Sequence, residues 1–219
     1  FFEAISEILI EKIFDDNKKY KNKNVLEIAS RNDILRNNVN SKGLQLNYFQ
    51  TCVSEKILVK NKKRIVSNIN DLVFKEKFFD FCISLFSLNS SDNIPLVFKN
   101  IYNVLKVDGI FVSVFPSDEC FKEFNSYFTD FFKPPKNYNF NPLFDMQTLG
   151  NLCSMTGFKK VIVDKENFQF NIVKPEEVWS FIRYCGESNY LSNRKNFIVK
   201  KSLFKEFYNA YDKEIKKGN

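Results

Sequence analysis

Histidine is absent from this 219-residue chain. Imidazole is the commonest metal ligand and the usual general base near neutral pH. Zinc hydrolases and Ser-His-Asp enzymes are therefore excluded by composition, and no metal site is expected. Glycine is nearly as scarce, at six residues, under half the usual share of about 7%. The five cysteines, at 52, 82, 120, 153 and 185, are odd in number and contain no CxxC pair. They read as reduced, mostly structural thiols, which suits a bacterial cytoplasm, or an organelle matrix in a eukaryote. No apolar run approaches the roughly 20 residues of a membrane-crossing helix, so no membrane span is expected. The opening stretch "FFEAISEILIEKIF" carries three glutamates and no basic cluster before its apolar part. It is not expected to be a signal peptide. The chain opens on Phe1 rather than Met, and is expected to be the ordered part of a longer protein.

What is present is ordinary for one large globular domain: 44% hydrophobic and 27% charged residues, with a net charge of +7. Phenylalanine is abundant at 26 residues. Basic residues cluster at Lys60, Lys62, Lys63 and Arg64, and again at Lys200 and Lys201. They read as solvated faces. A nucleic-acid partner would call for a reading motif or an aromatic platform, and neither is present.

Periodicity supplies the fold class. Ile5, Ile8, Leu9 and Ile13 share a helical face. "NVLEIAS" reads as a buried strand, and "DILRNNV" as a helix start with Asp33 as its cap. Residues 44–51 alternate as a second strand. "SEKIL" is a short helix start, and "RIVSN" a third strand. "FFDFCISLF" (78–86), a polar loop, helix 94–105, a "KVDG" turn and the strand "IFVSVFP" make a βαβ unit, which needs parallel neighbours. Beyond it come a Phe-rich helix over 118–132, a helix from Asp145 to Met155 closed by Gly157, and an apolar alternation in "KKVIVDKENFQFNI" read as a strand or strand pair. A helix from Pro175 to about Cys185 and a last helix over 202–215 follow. The Phe stripe and the single Trp179 read as core packing. The architecture expected is one α/β domain with a mostly parallel, Rossmann-like sheet, helices on both faces, and a helical lid or insertion over about 117–155.

Ligands of open α/β sheets bind beyond the carboxyl ends of the strands. The groups standing there are the loop Ala29 to Asp33, Cys52, Asn68, and Ser84 to Asn89. The stretch "FDFCISLFSLNSSDNIPLVFKNIYNVLKVDGIFVSVF" resembles the fourth-to-fifth-strand region of class I S-adenosylmethionine (SAM) methyltransferases. "FNPLFDMQTLGNLCSMTGFKK" and "GESNYLSNRK" are similar to a branch of that family. It contains the complex I assembly factors and the malonyl-carrier-protein methyltransferases of biotin synthesis. The likeness covers about residues 20–200.

The resemblance implies SAM as cofactor and places Glu27, Ala29, Ser30, Arg31, Cys52, Asn68 and Ser84 around it. It places Asn89, Glu187, Ser188, Asn189 and Arg194 along the substrate cleft. No catalytic residue is assigned, and Asp80 is expected to be structural. The chain departs from the family pattern at four cofactor-site features and at the closing strand. The first-loop glycines are replaced by Ala29, Arg31 and Asp33. The ribose-holding acid falls on Cys52, the adenine-side acid on Asn68, and a His-Trp pair on Asn89 and Ser90. The family's closing strand has no counterpart before residue 219. Two readings follow. One is a SAM-dependent methyltransferase-like protein acting on a protein- or carrier-bound acceptor. The other is a non-catalytic assembly or binding protein that keeps the fold without ordinary SAM binding. The positive charge suits an acidic partner such as a protein subunit or an acyl carrier protein.

Overall fold

A computed structural model describes residues 1–14, 19–30, 32–54, 64–134, 141, 143–170, 174–185, 188–189, 191–194 and 199–218. The chain forms two compact units, Phe1–Phe115 with Asn151–Val161, and Pro116–Gly150 with Ile162–Asn219.

The first unit is built on five parallel strands: β1 (Asn24–Glu27), β2 (Asn47–Cys52), β3 (Arg64–Val66), β4 (Phe79–Leu85) and β5 (Leu105–Val114). Their order is β3-β2-β1-β4-β5. The chain runs outward from β1 to one edge and then returns to β4 on the other side of β1. That reversal creates the switch-point crevice between β1 and β4. Helices α1 (Phe2–Ile13) and α2 (Ile34–Ser41) cover one face. Leu9, Ile10, Ile13, Leu35 and Val39 pack there against Val25, Tyr48, Phe81 and Ile83. Alternate residues point to the opposite face, where Phe98 of α3 (Ile94–Val104) meets Phe111 edge-on at 5.4 Å. Pro in the first turn and the Asn93 side chain, which accepts from Leu96 N at 3.0 Å, start α3 as capping chemistry requires.

Asp80 ties the starting ends of three strands. Its carboxylate accepts from Asn24 N at 2.9 Å, Lys23 Nζ at 3.2 Å and Lys106 Nζ at 2.8 Å. This is the structural role expected of it. Burial alone would raise its pKa, but the bonds from Lys106, Asn24 and Lys23 prevail and hold the carboxyl below the usual range.

Several boundaries differ from the sequence expectation. β2 begins at Asn47, not residue 44, because pairing starts only where β1 does, at Asn24 opposite Asn47. "KVDG" does not separate α3 from the next strand. β5 begins at Leu105, and the turn survives as a bulge between the pairs Phe79–Leu105 and Phe81–Ile110. Asp108 has φ 59°, and a Cβ on Gly109 would lie 2.9 Å from the Lys106 carbonyl oxygen. Only glycine fits there. The helix expected over 118–132 starts later, at Lys122, behind Phe121 at φ 55°. Residues 159–170 form no strand among the described residues, and Ile162 is 88% exposed. Alternation alone does not make a strand without a partner to bond. The helix start read at "SEKIL" falls largely outside the described residues.

The second unit is helical: α4 (Lys122–Phe132), α6 (Pro175–Tyr184) and α7 (Lys201–Gly218). The Phe stripe is core, as read from its spacing. Phe124 and Phe128 bury against Val178, Ile182, Phe207 and Tyr211. Trp179 packs edge-on against Phe124 at 5.3 Å and Phe128 at 5.2 Å. Helix α5 (Met146–Thr156) carries the chain between the units. Asp145 caps it, accepting from Thr148 N at 2.8 Å, and Gly157 at φ 109° ends it.

Asp80→Asn is expected to cost about 1 to 2 kcal/mol at pH 7, discounted because both lysines stand partly in water. A depressed carboxyl contributes stability that is present above the ordinary value of 3.8 and lost as pH falls through the folded value. The gap between variant and parent in urea unfolding should therefore close in acid.

Candidate functional site

β1 ends at Glu27, and the chain must turn at once to enter α2. Ile28 N still bonds Ile83 O across the sheet at 2.8 Å. Ala29 then adopts φ 52°, in the left-handed region. That conformation costs an L-residue about 1 to 2 kcal/mol. The turn is held from two sides. Ala29 N donates to Thr51 Oγ1 at 2.9 Å and Ser30 N to Thr51 O at 2.7 Å. Ser87 Oγ lies 3.0 Å from both Ala29 O and Leu85 O, so its single proton serves one of them at a time. The loop after β4 makes the same kind of turn: Phe86 has φ 50°, a true outlier for a bulky residue. Two left-handed residues thus flank the β1–β4 crevice.

Behind this loop lies a buried polar network. Glu27, 4% exposed, accepts from Tyr48 Oη at 2.9 Å and Gln50 Nε2 at 2.8 Å. Gln50 Nε2 also reaches Ser30 Oγ at 3.1 Å, and its Oε1 accepts from Arg64 Nε at 2.8 Å and Arg36 Nη1 at 3.3 Å. Arg64 closes the chain by donating to Asp33 in the loop. Burial raises the Glu27 pKa, and the bonds from Gln50, Ser30 and Tyr48 with the Arg64 charge only partly offset it. Burial, then the neighbouring Glu27 charge, pushes the Tyr48 hydroxyl well up. Tyr48 is therefore a firm donor.

Arg64 was expected on a solvated face. Its side chain is instead 3% exposed and paired with Asp33. Lys60, Lys62 and Lys63 lie outside the described residues, as do Arg31, Gly186 and Glu187. Among the described residues the cation paired with Asp33 is Arg64 of β3. Glu27, Ala29 and Ser30 come together around Gln50 and Thr51. Cys52 is 1% exposed, and its Sγ faces the carbonyl oxygens of Ser54 at 3.5 Å and Ile65 at 3.9 Å. Asn68 is exposed at the end of β3, with Oδ1 accepting from Asn70 N at 2.9 Å. Ser84 and Asn89 are fully buried near the end of β4. Ser188 and Asn189 are half-buried in the second unit, where Asn189 Oδ1 accepts from Leu191 N at 3.0 Å, and Arg194 is exposed. Gln50, Thr51 and Arg64 were not singled out as site residues from sequence, and Ser87 was included only as part of the loop Ser84 to Asn89. The one available signal was their position at strand ends beside the loops.

A parallel sheet in the order β3-β2-β1-β4-β5, with turned loops at the β1–β4 crevice, is the frame of class I SAM-dependent methyltransferases. The chain has that fold. Residues 26–113 match the methyltransferase domain family. A Rickettsia prowazekii protein with a provisional methyltransferase name is 27% identical over 71% of this chain and 71% of its own length. The protein named arginine-hydroxylase NDUFAF5, mitochondrial, from Danio rerio is 29% identical over 66% of this chain, and its Homo sapiens counterpart 24% over 77%. The chain spans only 48% and 53% of those two relatives. In fold it is similar to a Thermotoga maritima SAM-dependent methyltransferase, with TM-score 0.52, 17% identity and 71% of each chain covered. It is also similar to Haemonchus contortus phosphoethanolamine N-methyltransferase 2, solved with SAM, with TM-score 0.56 and 15% identity, covering 96% of this chain and 48% of that one. Among the described residues no helix is long and apolar enough to cross a membrane.

Ionising Glu27 where it sits works against folding. A raised carboxyl leaves stability highest below the ordinary value of 4.5 and lets it decline as pH rises through the folded value. Glu27→Gln keeps an oxygen for Tyr48 and Gln50. The variant is expected to lose this decline when urea unfolding is compared between pH 4.5 and 7.5. Identical pH slopes for variant and parent would contradict it.

Proposed function

We propose that this chain is a SAM-using, methyltransferase-fold protein of the complex I assembly branch, acting on a protein-bound acceptor and holding the cofactor's ribose weakly. The observation that carries the reading is the pair of left-handed turns at Ala29 and Phe86 on either side of the β1–β4 crevice. Strained backbone persists only where the surrounding structure over-determines it, and such residues cluster at ligand and active sites. The loop thereby keeps, without glycine, the turn that brings backbone up against a ligand. SAM, when bound, supplies an activated methyl group on a sulfonium. This chain's residues would hold its methionine half through the loop Ala29–Ser30 and the end of β4 near Ser84.

The ribose end does not fit the family pattern. A diol is best held by a carboxylate acceptor, and Cys52 is a buried thiol turned toward backbone carbonyls. The NDUFAF5 relatives favour the assembly branch over the biotin-synthesis branch. Their printed name, an arginine hydroxylase, makes an arginine side chain the acceptor class that the likeness favours.

The sealed Cys52 and the already satisfied Glu27 favour a second reading, an assembly or binding protein without ordinary SAM binding. Calorimetric titration with SAM and S-adenosylhomocysteine separates the two. Loss of the ribose acceptor costs about 1.5 to 3 kcal/mol. Affinity is therefore expected about ten- to over a hundredfold weaker than a micromolar site, and still measurable. No heat of binding at about 1 mM ligand, where a site with Kd tenfold lower gains about 1.4 kcal/mol, would replace the first reading with the second.

A further inference from the structure

We propose that Thr51 and Ser87 are positioning residues that take over the work of glycine in the first loop: their hydroxyls hold Ala29 in the left-handed conformation that gives the loop its ligand-facing shape. This deepens the reading that the crevice serves an adenosyl ligand, but the conformation itself can be tested without any ligand.

Glycine reaches positive φ at no steric cost, and alanine does not. Ala29 sits at φ 52° with both of its backbone polar groups within reach of side-chain hydroxyls. Its N–H donates to Thr51 Oγ1 at 2.9 Å, and its carbonyl oxygen lies 3.0 Å from Ser87 Oγ. Thr51 is 1% exposed and Ser87 3%. The hydroxyls are shielded from water, while Ala29 itself is half-buried. A buried hydrogen bond is of the same order as the strain it opposes. The two hydroxyls come from opposite sides. Thr51 stands on β2 and also receives Ser30 N on its carbonyl at 2.7 Å. Ser87 follows Phe86, whose own left-handed turn is pinned by Phe86 N to Val114 O at 3.0 Å. The β4 turn thus aims a hydroxyl at the β1 turn, and the two outliers form one unit. Serine or threonine at both places, with alanine at the centre, is a side-chain solution to a backbone problem.

The test is the φ of Ala29, read from its amide-to-Hα coupling and chemical shifts in the labelled full chain. In the parent and in Thr51→Ser, Ala29 is expected at positive φ. In the double variant Thr51→Val with Ser87→Ala it is expected to relax to negative φ. Persistence of positive φ in the double variant would overturn the proposal. Should that variant fold poorly, the single changes decide. Thr51→Val should lower the folded-to-unfolded ratio less in the parent than alongside Ala29→Gly, by up to about five- to thirtyfold, because Ala29 relaxes and recovers strain that glycine never carries. Equal losses in the two backgrounds would overturn it as well. S-adenosylhomocysteine, if it binds the parent, should bind the double variant more weakly and recover when Ala29→Gly is added.

Discussion

The chain leaves β1 and enters α2 with no glycine between them, and the rest of the first unit depends on that turn. Ser30 must reach β2, Asp33 must start the helix, and Leu35 and Val39 must then cover Val25 and Ile83. The turn is made by forcing Ala29 into a left-handed conformation and bonding it there. Thr51, Ser87 and Gln50 supply the bonds from β2 and the β4 loop. Gln50 and Thr51 lie 20 and 22 residues from their loop partners and Ser87 lies 58 from Ala29, so the loop takes its shape only once the sheet has assembled.

The polar network behind the loop has a different effect. It buries a carboxylate and a guanidinium within one row across the sheet, Glu27–Gln50–Arg64. Such groups are costly unless fully bonded. Gln50 makes them compatible by donating to the acid and accepting from the base. Because Arg64 lies in a three-residue edge strand, its bonds to Gln50 and Asp33 also fix β3 against β2 and the loop. Where the family that this chain resembles has glycines, the chain has a wired and buried set of side chains.

The sheet, its parallel order and the switch point were legible in the sequence because buried strands and the βαβ spacing are local patterns. The Phe stripe of α4 was legible for the same reason. Boundaries set by partners were not. β2 starts where β1 allows it, and the "KVDG" turn was absorbed into β5 as a bulge. The alternating stretch over 159–170 forms no strand among the described residues. Within the site, Glu27 and the missing glycines could be read from their positions. The answer to the missing glycines could not, because Thr51 and Ser87 come to Ala29 from 22 and 58 residues away. Arg64 looked like one of a row of surface cations, and only its pairing with Asp33 and Gln50 distinguishes it.

The central claim is that the first loop is held rigidly by side chains and not left to flex. Amide hydrogen exchange at Ala29 and Ser30 tests it most directly. Both N–H groups are bonded to buried acceptors on Thr51, so they should open only with the sheet and exchange as slowly as the amides of β1. Exchange of Ala29 and Ser30 near the rate of an unstructured loop, with β1 still protected, would contradict the account.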